Sequence, residues 1–400
     1  MTKQQPSGHV VVVGAGLGGI RTIERLRAEG HTGPITLVGA EPHPPYDRPP
    51  LSKQILKRQW EPERVVLRDD SALAELDVAV RLGARAVALR GTTVELADGE
   101  SVTGDAVVVA TGVTARTLPG QPAGVFTLRT LDDALALRDA LDAARSLLIV
   151  GAGFIGAEVA CAAAERGVEV TVIEAGGAPC ERALGPDGGA LAARLFTEGG
   201  VKLLCGAALS RFVDARTVEL ADGTVLTADL VLVSVGAAPD LGWLDGAGLA
   251  TADGLACDAQ GKAVGAEHVW AVGDAAAWWD ASAEAHRRSE HWTTTIDQAA
   301  AVACAIAGAK APVAGPAYVW SDQFGMKVQT VGRTGAADEV VALHGDGLDG
   351  GAVKGTVIGY FTGGVLTGVA SFGAPALFVR YRALVAAGAG RDEVLAKARG

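Results

Sequence analysis

The chain has 400 residues, 49% of them apolar, and a formal net charge of −11 at pH 7. That length exceeds one ordinary hydrophobic core and suits two or three domains, and the apolar content excludes a disordered chain. The acidic balance excludes nucleic acid or an anionic membrane surface as the main partner.

No apolar run approaches the ~18 residues that span a bilayer, and residues 1–8 lack the apolar core of a secretion signal. The expectation is a cytoplasmic protein without membrane or nucleic-acid partners, its state (monomer or homodimer) open. Residues 9–13 read as a buried parallel strand, being short and β-branched. Gly14-x-Gly16-x-x-Gly19 follows, then a helix over 17–29. Such a turn holds a pyrophosphate. Its first glycine permits the tight bend, the second lets backbone approach phosphate, and the third lets helix pack on strand. A second strand over 35–38 ends near Glu41, at the distance where an acid holds ribose hydroxyls. Residues 42–53 are too proline-rich for a helix interior or central strand, with a short helix starting near Leu51. Residues 92–96 and 101–102 flank a turn at Asp98-Gly99 and read as a hairpin. Residues 106–110 form a buried strand running into Thr111-Gly112.

The same order then repeats. Residues 147–150 lead into Gly151-x-Gly153-x-x-Gly156, a small-residue helix follows over 157–166, and a strand over 170–173 ends at Glu174. Residues 218–220 and 225–226 flank Asp222-Gly223, and residues 230–235 run into Gly236. Val-Glu-Leu-Ala-Asp-Gly occurs at both 94–99 and 218–223, so the unit reads as duplicated, and two bound dinucleotides are expected. Gly14 to Val94 spans 80 positions and Gly151 to Val218 only 67. The proline-rich segment falls in the excess, so it is expected to serve the chemistry of the first dinucleotide, the alternative being a structural loop. A strand over 269–272 runs into Gly273-Asp274. Asp274 can meet the polyol of a flavin cofactor, or else cap a turn over 275–279. A helix is expected over 298–307. From residue 314 several short strands (326–331, 339–343, 355–361, 366–371) and a helix over 376–387 make a smaller α+β domain.

These motifs resemble the flavin-dependent ferredoxin reductases of bacterial oxygenase systems, the group of putidaredoxin reductase and the biphenyl dioxygenase reductase component. The marks are Tyr46-Asp-Arg-Pro-Pro-Leu-Ser-Lys53, Ala110-Thr-Gly112, Leu128-Arg-Thr130, the turn at 151–158, Ala271-Val-Gly-Asp274, Glu290-His-Trp292 and Trp320-Ser-Asp-Gln-Phe324. The resemblance covers essentially the whole chain. It implies an α/β fold like that of glutathione reductase, with two Rossmann-like domains: FAD on residues 1–113 and 241–313, and NAD on 114–240. The small α+β domain is 314–400. It further implies that FAD meets Gly14, Ala15, Gly16, Gly18, Glu41, Arg48, Lys53, Ala86, Ala110, Thr111, Gly112, Arg129, Gly273, Asp274, Glu290, His291, Trp292 and Trp320. NADH would meet Gly151, Gly153, Phe154, Ile155, Gly156, Glu158, Glu174 and Gly236.

Glu174 suits a free 2′-hydroxyl, and no Arg or Lys occurs over 175–181 to receive a 2′-phosphate, so NADH is expected over NADPH. Lys53 and Glu158 are the candidate catalytic residues. Glu158, placed in the first turn of its helix, can contact the carboxamide, and Lys53 can face negative charge on reduced flavin. They are expected to form an ion pair that opens on NADH binding. The five cysteines form no Cys-x-x-Cys pair and no zinc pattern, and none precedes Cys161, so no metal is expected. Electrons cannot pass to a thiol in the first unit and must leave the flavin directly. A flavin accepts hydride and releases single electrons, which suits an iron–sulfur ferredoxin, and indirectly an oxygenase. Rubredoxin as acceptor, and an NADH-sensing signalling flavoprotein of the apoptosis-inducing-factor type, are the alternatives. An acidic ferredoxin would need a local basic patch, for which Arg287, Arg288, Arg380 and Arg382 are candidates. Trp278 and Trp279 are expected to pack in a core or interface.

Overall fold

The computed structural model describes residues 8–335 and 337–399. These fall into two compact units, one of residues 8–47, 63–114 and 237–315, the other of 48–62, 115–236 and 316–399.

The first unit is built on a five-stranded sheet in the order Val269–Ala271, Ala106–Val109, Val10–Val13, Ile35–Val38, Val78–Arg81, parallel throughout. Val10–Val13, Ile35–Val38 and Ala106–Val109 are buried at every residue. That explains their unbroken Val/Ile/Leu character, since a parallel sheet covered on both faces has no polar side. Val10–Val13 lies between its two partners, so the strand order reverses beside it. The glycine turn at its carboxyl end therefore opens at the switch point where doubly wound sheets bind ligands. The helix Leu17–Ala28 follows, and its buried Ile20, Ile23 and Leu26 pack with Val10, Val12, Ile35 and Leu37.

In the second unit the strands run Lys202–Cys205, Glu169–Glu174, Ser146–Val150, Leu230–Val233, again all parallel. The first strand is again central, so the duplicated order in sequence is duplicated topology. The 314–400 portion carries an antiparallel sheet, Tyr318–Gln323, Met326–Gly332, Val365–Phe372, Val357–Thr362, Glu339–His344, with the helix Pro375–Ala387 packed on it through Phe378 and Tyr381.

Several boundaries differ from the sequence reading. The helix after the second glycine turn spans Phe154–Glu165, beginning three residues before Ala157. Glu158 therefore sits in the second turn, not the first. The late helix is Trp292–Ala307, six residues longer at its start than expected. Its Thr-Thr-Thr-Ile run is β-branched, which weakens helix propensity, and tertiary packing of Thr295 and Gln298 overrides it. Residues 275–279 make no capped turn. Gly273–Ala275 is one 3-10 turn and Ala276–Asp280 is a strand, paired with Leu255–Cys257 and Ala285–Arg288. Trp278 packs there with its indole N–H on the Ala271 carbonyl at 2.9 Å, while Trp279 is 41% exposed. Helices at Leu131–Ala140, Glu181–Glu198 and Arg391–Arg399 were not anticipated. The first announces itself by a capping box, Thr130 with Asp133. The second hides behind Gly185-Pro186, where the helix kinks at a φ of +64°.

Candidate functional site

Each glycine turn shows its three positions doing different work. Gly14 and Gly151 have φ of +120° and +103°, and a Cβ on either would fall within 3.0 Å of backbone, from Ala110 and Ser234 respectively. Gly19 and Gly156 stand as close to the carbonyls of Gly14 and Gly151, so a side chain there would lift helix from strand. Nothing lies within 4 Å of a Cβ built on Gly16 or Gly153. These middle glycines begin the helices Leu17–Ala28 and Phe154–Glu165 as N-caps, where first-turn N–H groups have no intrahelical partner. An open cradle at a helix N-terminus fits a pyrophosphate.

In the first unit, Ala15 sits in the turn and Gly18 packs against Val272 and Thr295. The Tyr46 hydroxyl donates to Glu41. Ala86 lies opposite Leu96 in the hairpin sheet. Ala110, Thr111 and Gly112 follow the strand Ala106–Val109, and the Thr111 hydroxyl is buried with no hydrogen-bond partner among the described residues. Such an atom costs free energy unless a ligand meets it. The Gly273 amide donates to Gln298 Oε1 at 2.8 Å, and Asp274 lies in the 3-10 turn. Glu290 pairs with Arg288 at 2.6 Å. His291 precedes the helix Trp292–Ala307 as its N-cap, and the Trp292 indole N–H donates to Asp47 Oδ1 at 3.0 Å.

The remaining flavin candidates belong to the second unit. Arg48 donates to the Arg129 carbonyl at 2.6 Å. The Trp320 ring stacks on Tyr318, centroids 5.7 Å apart and planes 20° from parallel. Lys53 Nζ meets Glu158 Oε1 at 2.9 Å, the two side chains 8% and 3% exposed. The sequence places these residues 105 positions apart; the fold joins them because the short π-type helix Leu51–Ile55 packs beside Phe154–Glu165. A buried carboxylate needs more than one partner. Glu158 has three, since Ser52 Oγ donates to Oε2 and Ser321 Oγ to Oε1 at 2.6 Å. Neither serine was singled out in the sequence, although both lie inside motifs that carried the resemblance. Nothing local to a serine shows that it meets a carboxylate 163 positions away.

At the second cradle, Glu174 binds the turn itself. Oε2 accepts from the Ala152 amide and Oε1 from the Gly176 amide, both at 2.8 Å. The acid is thus fixed at the end of its strand. Phe154, Ile155 and Gly156 form the first helical turn, Ile155 42% exposed, and Gly236 takes φ of +93° beside open space. Cys161 and Cys180 are buried and all five thiols are free. Burial pushes the Cys180 thiol up to about 12. Among the described residues there is no cluster of metal-ligating side chains and no helix long and apolar enough to cross a membrane.

Residues 8–299 match the family model described as pyridine nucleotide-disulphide oxidoreductase, and residues 318–398 the one described as reductase C-terminal. Over 353 residues the chain is 39% identical to the chlorobenzene dioxygenase ferredoxin reductase component of Cupriavidus sp. (strain PS12), covering 86% of this chain and 85% of that one. It is 37% identical to the ferredoxin–NAD(+) reductase subunit of the benzene 1,2-dioxygenase system of Pseudomonas putida, covering 84% and 83%. The solved structure of the covalent putidaredoxin reductase–putidaredoxin complex matches with a TM-score of 0.91 at 27% identity, covering 98% of this chain and 99% of that one.

Proposed function

The chain belongs to the pyridine nucleotide-disulphide oxidoreductase family, and from that membership we propose that it is an FAD-dependent oxidoreductase that takes hydride from NADH and passes single electrons to a ferredoxin serving an oxygenase. The observation that carries this reading is a pair of glycine turns with open cradles at Gly16 and Gly153, in a chain with no cysteine before Cys161. The first feature fits two dinucleotides, and the second leaves no thiol in the first unit to take electrons. Similarity to ferredoxin reductase components supports the acceptor.

FAD, when bound, supplies a centre that accepts a two-electron hydride and releases electrons one at a time. The chain's own residues do the rest. Gly14, Gly16 and the helix after them hold one pyrophosphate, with Glu41 on the ribose, and the buried Thr111 hydroxyl is a polar partner for the same group. Gly151, Gly153 and Gly156 hold the second. Glu174, held by two amides, accepts from a ribose diol and repels a 2′-phosphate. Lys53 is the cation that balances negative charge arriving with the electrons. Glu158 accepts from the nicotinamide carboxamide, and its pair with Lys53 opens as that contact forms.

The test uses purified protein loaded with FAD. NADH is expected to bleach the flavin absorbance, with kcat/KM well above that for NADPH, and cytochrome c reduction is expected only when a ferredoxin is added. Preference for NADPH would overturn the assignment of Glu174. A long-lived NADH complex without turnover would overturn the reductase itself.

A further inference from the structure

The Lys53–Glu158 pair has a third participant from the strand Tyr318–Gln323 of the C-terminal antiparallel sheet. Ser321 and Gln323 are alternate residues of the strand Tyr318–Gln323, so their side chains leave the same face, and both are 0% exposed. Gln323 Nε2 donates to Ser321 Oγ at 3.1 Å, and Ser321 Oγ donates to Glu158 Oε1 at 2.6 Å. A serine hydroxyl has a single proton. The Glu158 carboxylate can only accept, so that proton goes to Glu158, and the Gln323 amide on the hydroxyl oxygen fixes the direction in which it points.

Lys53 and Ser321 share one carboxylate oxygen, while Ser52 holds the other. Were Lys53 the sole partner of Oε1, releasing it would strand a buried anionic oxygen, which is strongly unfavourable. With Ser321 in place, Oε1 keeps a donor after Lys53 moves. We infer that Ser321, oriented by Gln323, is a positioning residue that lets the Lys53–Glu158 pair open while Glu158 stays charged and aimed at the nicotinamide. The C-terminal portion thereby sets the readiness of the hydride-transfer site. This rests on the proposed role of the Lys53–Glu158 pair.

The test is a double-mutant cycle on FAD-loaded protein, read by calorimetric NAD+ binding and by the rate of flavin bleaching under NADH. Ser321→Ala is expected to weaken NAD+ binding and slow bleaching by about tenfold each, the scale of one hydrogen bond to a charged group. In a Glu158→Gln background the same change is expected to add almost nothing, because coupled residues are non-additive. Gln323→Met keeps the hydroxyl and its bond to Glu158 but removes the amide that orients it, and is expected to give a smaller loss in the same direction. Should Ser321→Ala fail to fold, that variant carries the cycle. Equal losses with and without Glu158, or no loss in either variant, would overturn the inference alone. If Glu158→Gln itself binds NAD+ and bleaches like the parent, the role of the pair falls, and this inference with it.

Discussion

His31 shows how one side chain ties burial to pH. It is 2% exposed, and burial first, then the Arg27 cation, hold its pKa below the usual histidine value against the pull of the Pro34 and Gly8 carbonyls. The folded state therefore binds the ring proton less readily than the unfolded chain, which takes it up at the ordinary value. Stability is fully present above that value and is lost as pH falls from it toward the depressed folded one. Urea midpoints measured from about pH 7 down to about pH 5 are expected to decline, and His31→Leu to flatten the decline; an unchanged slope would remove His31 as its cause. The thiols make a second residue-scale prediction. Cys205 is exposed and the other four cysteines are buried, with burial pushing the Cys257 thiol up to about 12 and raising that of Cys161. A thiol reagent at about pH 8 is expected to titrate Cys205 first in native protein, slowed because burial and the Glu174 and Glu181 carboxylates raise its pKa, and all five cysteines after unfolding. Rapid native labelling of a second cysteine would contradict the burial.

Among the elements, the helix Glu181–Glu198 shows what motif reading cannot reach. It ends at Gly199, whose φ of −82° any residue adopts. The glycine is required for another reason: a Cβ there would fall within 3.0 Å of the Phe324 ring. Phe324 itself takes φ of +49° between two strands, and its amide donates to Cys161 Sγ at 3.2 Å. Gly199→Ala is thus expected to cost about 1–3 kcal/mol by overpacking. Gly200→Ala meets nothing within 4 Å but carries φ of +72°, so its cost of about 1 kcal/mol is backbone strain. Chemical denaturation of both variants measures the two costs; a Gly199→Ala loss below about 0.5 kcal/mol would argue against the Phe324 contact. The glycine turns were legible because their spacing and flanking strands are local. The contact between residues 199 and 324 was not, since it depends on how distant elements meet.

For the whole molecule, charge sets the terms of electron delivery. A net charge of −11 would repel an acidic ferredoxin at long range, so docking to one would rely on local cations. Arg287 is 55% exposed and pairs with Asp280 at 3.8 Å; Arg288 is 9% exposed and held by Asp253 and Glu290, which makes it a poor docking group. Arg380 and Arg382 are exposed on the helix Pro375–Ala387, Arg382 lying 5.1 Å over the Tyr318 ring. Raising salt until the Debye length is about 3 Å is expected to lower kcat/KM for the ferredoxin severalfold while leaving ferricyanide reduction by NADH nearly unchanged. A parallel loss with both acceptors would place the salt effect elsewhere than docking. By itself the sequence determined the two strand–glycine-turn–helix units and their order, because nearest-neighbour strands, glycine spacing and turn chemistry are written in short stretches. Only the tertiary structure decided that Ser52 and Ser321 also donate to Glu158 and that the Lys53–Glu158 pair, itself expected from the sequence, is buried. A buried charge selects its partners by proximity in space, and a serine in a strand carries no mark of the carboxylate it will meet.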